Sequence, residues 1–142
     1  MTATDFNQKT IDDFHAKKGR GVGPWGDNLL LMTSKGVTTA RDITTPLVSR
    51  RQGDAFVVVA SKGGAPDHPS WLGIVLANPV VEIEVAAAEG VDRLKARARV
   101  VADGEERDEL YAYMTEVWPA FADYALKTDR KIPVVVLTPE TP

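Results

Sequence analysis

Ser61-Lys62-Gly63-Gly64 sets a hydroxyl, a cation and two residues without Cβ in a row, a combination that lets backbone N–H groups come close to an anion. The run follows Val57-Val58-Val59-Ala60, an uncharged stretch that reads as a strand covered on both faces. Pro66 and Pro69 stiffen the exit, and Pro69 is placed to be the first residue of a short helix whose free N–H groups add positive potential. Lysine beside two glycines suggests a phosphate, while the same four residues also suit an ordinary exposed turn. The spacing matches neither a P-loop nor a G-x-G-x-x-G dinucleotide turn.

The remaining chemistry is sparse. His15 and His68 are the only histidines, and no Ser-His-Asp order can be argued from their positions. His68 lies near the lysine-glycine run, but between Asp67 and Pro69 it equally suits a loop or a helix cap. The acidic pairs Asp12-Asp13 and Glu105-Glu106 are expected at helix starts, where they complement the dipole without a catalytic role. With no cysteine and two histidines, thiol chemistry is excluded and no metal site is expected. What is left is a basic, glycine-rich cradle and the aromatic side chains Trp25, Trp71, Trp118, Phe121 and Tyr124. That set suits a flat ring system carrying a phosphate, where a cofactor does the chemistry and the protein orients it.

The elements that position these residues follow from periodicity. Residues 5–18 put Phe6, Ile11 and Phe14 on a helical stripe that Gly19 ends, and a loop with four glycines then presents Trp25. Strands are expected at 28–34, 43–50, 55–61, 80–85, 94–100 and 132–137. Pro46 marks its strand as an edge or a bulge, and 50–54 reads as a hairpin turn. Leu94 to Val100 alternates strictly, with Lys95, Arg97 and Arg99 on a solvated face. Two helical turns are expected from Pro69 to Ala77, and a late helix from Asp103, with Glu106 completing a capping box and Pro119 ending or kinking it. Six strands in mainly antiparallel order with three helices make an α+β or barrel pattern in one domain spanning 1–142. A formal charge of −3 argues against nucleic-acid binding, and no apolar run has the length of a membrane span. A soluble cytoplasmic protein with a small-molecule substrate is expected, as a monomer or homodimer.

Several long stretches resemble the deazaflavin (coenzyme F420)-dependent nitroreductase and quinone reductase family of actinobacterial split β-barrels. They are LLLMTSKG, ITTPLVSRRQGD, VVVASKGGAPDHPSWLGIVLANP, VWPAFADYALKTDR and IPVVVLTP, carrying SKGG, HP-x-W, ANP and TDR-x-IPVV in the family's order. The resemblance implies a split β-barrel that transfers a hydride from reduced F420 to hydrophobic, electron-poor acceptors such as enones, quinones and nitroaromatics. It places Ser61, Lys62, Gly63 and Gly64 at the cofactor phosphate, and Pro46, Pro69, Trp71 and Ala77 along the cofactor. Trp25, Phe121 and Tyr124 would form the substrate pocket, with Tyr124 or Ser61 polarising the acceptor oxygen.

The chain departs from the family pattern in three places. It has Ile43 where an arginine is common, Gly36-Val37-Thr38-Thr39-Ala40 where a G-x-x-S-G turn is, and Trp71-Leu72-Gly73-Ile74-Val75 where W-Y-x-N-L is. Arg41 is the candidate to replace the lost cation. Two alternatives follow: a split barrel that binds FMN, or a non-catalytic carrier of deazaflavin or another ligand.

Overall fold

The computed structural model describes residues 3–36 and 42–140, with side chains from Asn7 onward. Helix α1 (Ala3–Lys17) precedes β1 (Leu29–Ser34), β2 (Ile43–Val48), β3 (Arg50–Gln52) and β4 (Ala55–Val59). Helix α2 (Ser70–Ala77), β5 (Val80–Ala86) and β6 (Val91–Val101) follow, then α3 (Gly104–Val117), α4 (Ala120–Lys127) and β7 (Val134–Pro139). The seven described strands form one antiparallel sheet in the order β2-β1-β5-β6-β7-β4-β3.

Its two outermost strands, β2 and β3, are separated in the chain by Ser49 alone. One nearly continuous strand therefore serves both edges, which forces the sheet to curl into a split barrel. The buried Ser49 fixes this corner by donating its backbone N–H to the Asn28 carbonyl at 2.9 Å. Pro46 lies on β2 opposite Leu31, at the edge position expected for a residue without an N–H.

Burial explains why some strands are apolar throughout and others alternate. On β4 and just past its end, Phe56, Val58 and Ala60 join the core inside the barrel with Leu30, Met32, Ile83 and Leu137, while Val57 and Val59 pack outward against α3 and α4. Strand β1 is likewise two-sided: Leu30 and Met32 point inward, while Leu29 and Leu31 meet Phe14 of α1. Strands β5 and β6 are covered on one face only. Val81, Ile83, Ala96 and Ala98 are buried, while Glu82, Lys95, Arg97 and Arg99 are exposed, as period-2 alternation requires.

Five sequence-based expectations are corrected. Arg50–Gln52 is a strand paired with β4, so the hairpin turn shrinks to Gly53-Asp54 and the sheet has seven strands rather than six. Pro69 is the N-cap of α2, with extended backbone, and not its first helical residue. The late helix ends before Pro119 as expected, since the ring cannot continue a helix, but a further helix, α4, restarts after it, so four helices are described rather than three. Asp103 makes no side-chain cap, and the Glu106 carboxylate is engaged elsewhere, by Arg99 through two bonds of 2.8 and 2.9 Å. That guanidinium keeps the Glu106 carboxyl below the usual carboxylate range. Asp12 and Asp13 also fall in the C-terminal half of α1, not at its start. Among the described residues, no helix is long and apolar enough to cross a membrane.

Candidate functional site

A cavity of about 640 Å³ opens between β2, the segment that follows β4, the start of α2, and α4. That volume is within the usual range for a small-molecule or cofactor site, roughly 300–1,000 Å³. Its walls are mostly apolar: Ile43, Pro46, Leu47 and Val48 come from β2, Val59 from β4, and Pro69 and Trp71 from the entry to α2. Trp25, Trp118, Phe121 and Tyr124 supply aromatic surface. The Trp25 and Trp118 rings are 6.4 Å apart, and Tyr124 meets Phe121 edge-on at 5.9 Å. Polar groups are few: Ser61, Lys62 and Gly63 stand at one end, and Asn7, Thr45 and Ser70 lie elsewhere on the wall. Among the described residues of the lining, Lys62 carries the only charge.

The backbone at that end is unusual. Residues Lys62–Gly64 form a single 3-10 turn in which Lys62, Gly63 and Gly64 all have positive φ, at 46°, 64° and 85°. For a non-glycine residue such as Lys62 this is a strained conformation, of the kind that recurs at ligand sites. Nothing lies within 4 Å of the point where a Gly63 Cβ would sit, so the main chain there is open to a ligand. Gly64 is the reverse case: buried, it lies so close to α4 that a Cβ would come 2.9 Å from the Tyr124 carbonyl oxygen. The close approach of this turn to α4 brings the anion-type loop and the aromatic helix to one cavity.

Electrostatics at the rim centre on one ion pair. Lys62 Nζ donates to Asp67 Oδ2 at 3.0 Å, and both side chains are substantially exposed. The hydrogen bond from Lys62 holds the Asp67 carboxyl below its ordinary value. A lowered pKa means that the pair is intact above the usual carboxylate range and is lost only as the pH falls through the lowered value. The contact therefore persists throughout the neutral range. Tyr111 lies behind the aromatic wall and donates its hydroxyl to the Phe121 carbonyl at 2.5 Å. Burial pushes its phenol up, so it stays protonated and ties α3 to α4.

Most of the residues singled out from sequence converge here. Pro46, Ser61, Lys62, Gly63, Pro69 and Trp71 line the cavity together with Trp25, Phe121 and Tyr124. Gly64 supports the wall from behind. Ala77 lies at the exposed far end of α2 and outside the lining, because eight helical residues carry it about 10 Å along the axis from Ser70. Arg41, with residues 37–40, lies outside the described residues. Ile43 is on the wall, so the position where the family pattern favours a cation presents an apolar face.

Sequence reasoning missed Asn7, Thr45 and Ser70 on the wall, and Arg130 behind the loop. Thr45 was legible in principle, as the residue alternating with Ile43 and Leu47 on an edge strand. Asn7 depends on how α1 docks, which no local pattern encodes. His68 does not enter the cavity; its Nδ1 meets Arg130 Nη1 at 2.9 Å on the far side of the loop.

Comparison with known proteins bears on what this cavity serves. Residues 7–139 match the model of the F420H(2)-dependent quinone reductase family. An F420H(2)-dependent quinone reductase of Mycobacterium tuberculosis is 39% identical over 114 residues, which cover 77% of this chain and 72% of the relative. A solved F420-H2 dependent reductase is 35% identical with a TM-score of 0.67, the match covering 78% of this chain and 93% of that one. A second solved chain, described as a domain-swapped dimer, is 32% identical with a TM-score of 0.70 and covers 96% of this chain and 99% of its own. These relatives give no support to FMN as the cofactor, and their reductase activity speaks against a mere carrier. Matched over nearly its whole length by sequence and by fold, the chain belongs to the F420H(2)-dependent quinone reductase family of oxidoreductases.

Proposed function

We propose that the cavity holds reduced coenzyme F420 and that the protein catalyses hydride transfer to a quinone or another hydrophobic, electron-poor ring bound against the aromatic wall. The observation that carries this reading is the polarity of the cavity. A single cation and an open glycine backbone stand at one end, and three tryptophans, a phenylalanine and a tyrosine extend from it. A cofactor with a flat ring and an anionic tail matches that asymmetry, so the residues present fit the group.

Bound there, the reduced deazaflavin supplies the hydride. The chain supplies placement and environment. Lys62, with Ser61 and Gly63, takes the phosphate end, and Pro46, Pro69 and Trp71 border the ring. Phe121 and Trp25 exclude water from the acceptor, which strengthens every hydrogen bond made inside. Of the hydroxyls in the lining, that of Tyr124 belongs to the aromatic wall, and it donates to an acceptor oxygen as negative charge develops there. No nucleophile is required, consistent with the absence of cysteine and with His68 facing away.

The Lys62–Asp67 contact gives this reading two opposed outcomes. Lys62→Ala is expected to weaken F420 binding by about tenfold at low salt and by less at high salt, because the lost term is a screened charge pair. Asp67→Asn is expected to tighten binding by roughly two- to fivefold, since the resident carboxylate no longer competes for the ammonium. Titration of F420 against each variant, followed by deazaflavin fluorescence, measures both. Unchanged affinity in Lys62→Ala would remove the lysine from the site.

A further inference from the structure

Arg130, in the segment between α4 and β7, lies outside the cavity lining yet makes the densest set of contacts to the loop that forms its charged end. Its Nε donates to the Ala65 carbonyl at 2.9 Å and its Nη2 to the Ser61 carbonyl at 2.8 Å. Both Nη atoms reach the Ala60 carbonyl at 3.3 Å, and Nη1 meets His68 Nδ1 at 2.9 Å. The four residues held in this way bracket Lys62–Gly64 on both sides. Arg130 is itself anchored, since its backbone N–H donates to the Thr128 hydroxyl at 3.3 Å.

The arrangement solves a specific problem. A turn with three successive positive-φ residues, one of them a lysine, does not hold its shape by local preference. The carbonyls of Ala60, Ser61 and Ala65 are held from behind by a planar fork of donors. A lysine, with one ammonium, cannot span three carbonyls and an imidazole. Burial disfavours the charged form of this guanidinium, and the nearby charge of Asp67 favours it. Its donors are taken up by the Ala60, Ser61 and Ala65 carbonyls and by His68 rather than by a ligand.

We propose that Arg130 is the positioning residue of the cofactor-anion loop, fixing Ser61–Gly64 in the conformation that presents Lys62 and the Gly63 backbone to the bound anion. This rests on the reading that the loop takes the cofactor phosphate. Arg130 does not touch the ligand; it acts by removing the ordering cost that the loop would otherwise meet on binding.

The test is a double-mutant cycle on the full chain, with F420 affinity, quinone KM and thermal midpoint as readouts. Arg130→Lys is expected to raise the F420 dissociation constant about tenfold and to change the quinone KM less than about twofold. In a Lys62→Ala background the same substitution is expected to cost less than about threefold, because the charge that the loop presents is already gone. A tenfold effect that persists unchanged in that background, or an unchanged dissociation constant in a folded Arg130→Lys protein, overturns the proposal. If Arg130→Lys does not fold, His68→Phe carries the test: it removes one of the guanidinium's partners and leaves the three carbonyls. A two- to threefold loss of F420 affinity at an unaltered thermal midpoint supports the proposal, and unaltered affinity overturns it. Failure of the unaltered chain to bind F420 at all overturns the functional reading itself, whereas tight binding indifferent to these substitutions overturns only the role of Arg130.

Discussion

Gly64→Ala is expected to destabilise the protein by about 2–5 kcal/mol and to weaken F420 binding at the same time. Two costs add. An alanine at φ +85° sits in the left-handed region, worth roughly 1–2 kcal/mol against an L side chain. Its Cβ would also lie 2.9 Å from the Tyr124 carbonyl oxygen and 3.0 Å from the Tyr124 Cα. Both atoms are main chain, so no rotamer change relieves the clash, and overpacking of this kind costs about 1–3 kcal/mol. Relief requires the lysine-glycine turn and α4 to move apart, which separates Lys62 from the aromatic wall. Gly63→Ala is the internal control. It carries a similar φ of +64° with nothing within 4 Å, so only the conformational cost of about 1–2 kcal/mol is expected. Urea unfolding of the two variants measures the difference, and equal destabilisation would show that the close approach to α4 does not matter.

Trp71→Ala is expected to be the most damaging single change at the site, at about 3–5 kcal/mol. Trp71 is buried to 4% exposure in the barrel core with Leu72, Val75 and Ile83, while part of it also faces the cavity. Truncation therefore opens a void in the core and removes ring surface from the cofactor groove together. Trp71→Phe separates the two roles, because it retains most of the apolar volume with a smaller ring. That variant is expected to fold with a loss of under about 1.5 kcal/mol and to bind F420 measurably less tightly. Thermal unfolding and F420 titration of both variants check this. Unaltered stability in Trp71→Ala would contradict its place in the core.

Which features were legible in the sequence follows from the physics of each element. Two-sided strands announce themselves as unbroken apolar runs, and Leu29 to Met32, Phe56 to Ala60 and Val134 to Leu137 are all such strands. The one-sided strand β6 was equally clear from its alternation. Boundaries failed where tertiary contacts overrode local chemistry. Arg50 and Arg51 look like turn residues, but Arg50 lies 3.9 Å above the Tyr113 ring and Tyr113 donates its hydroxyl to the Arg51 carbonyl, so the pair extends the sheet. The capping box gave way on its Glu106 side to an ion pair with Arg99, on strand β6.

The site was legible as a cluster of residue types because lysine, glycines and aromatics fell within recognisable stretches. Its geometry was not, since it depends on Ser49 turning one strand into two sheet edges and on Gly64 docking against α4. Arg130 stood in the TDR-x-IPVV stretch, but its role could not be read there, because its partners lie 62 to 70 positions away in the chain. Only the fold brings that guanidinium to the loop.

Binding of reduced F420 in this cavity and passage of its hydride to a quinone are tested most directly by a single-turnover experiment: the purified protein is mixed with stoichiometric reduced F420 and excess menadione-like quinone, and deazaflavin oxidation is followed by absorbance. One equivalent of F420 is expected to be oxidised at a rate well above the reaction without protein, with Lys62→Ala slowed at subsaturating cofactor. Oxidation no faster than in the absence of protein, under conditions where F420 is bound, would contradict it.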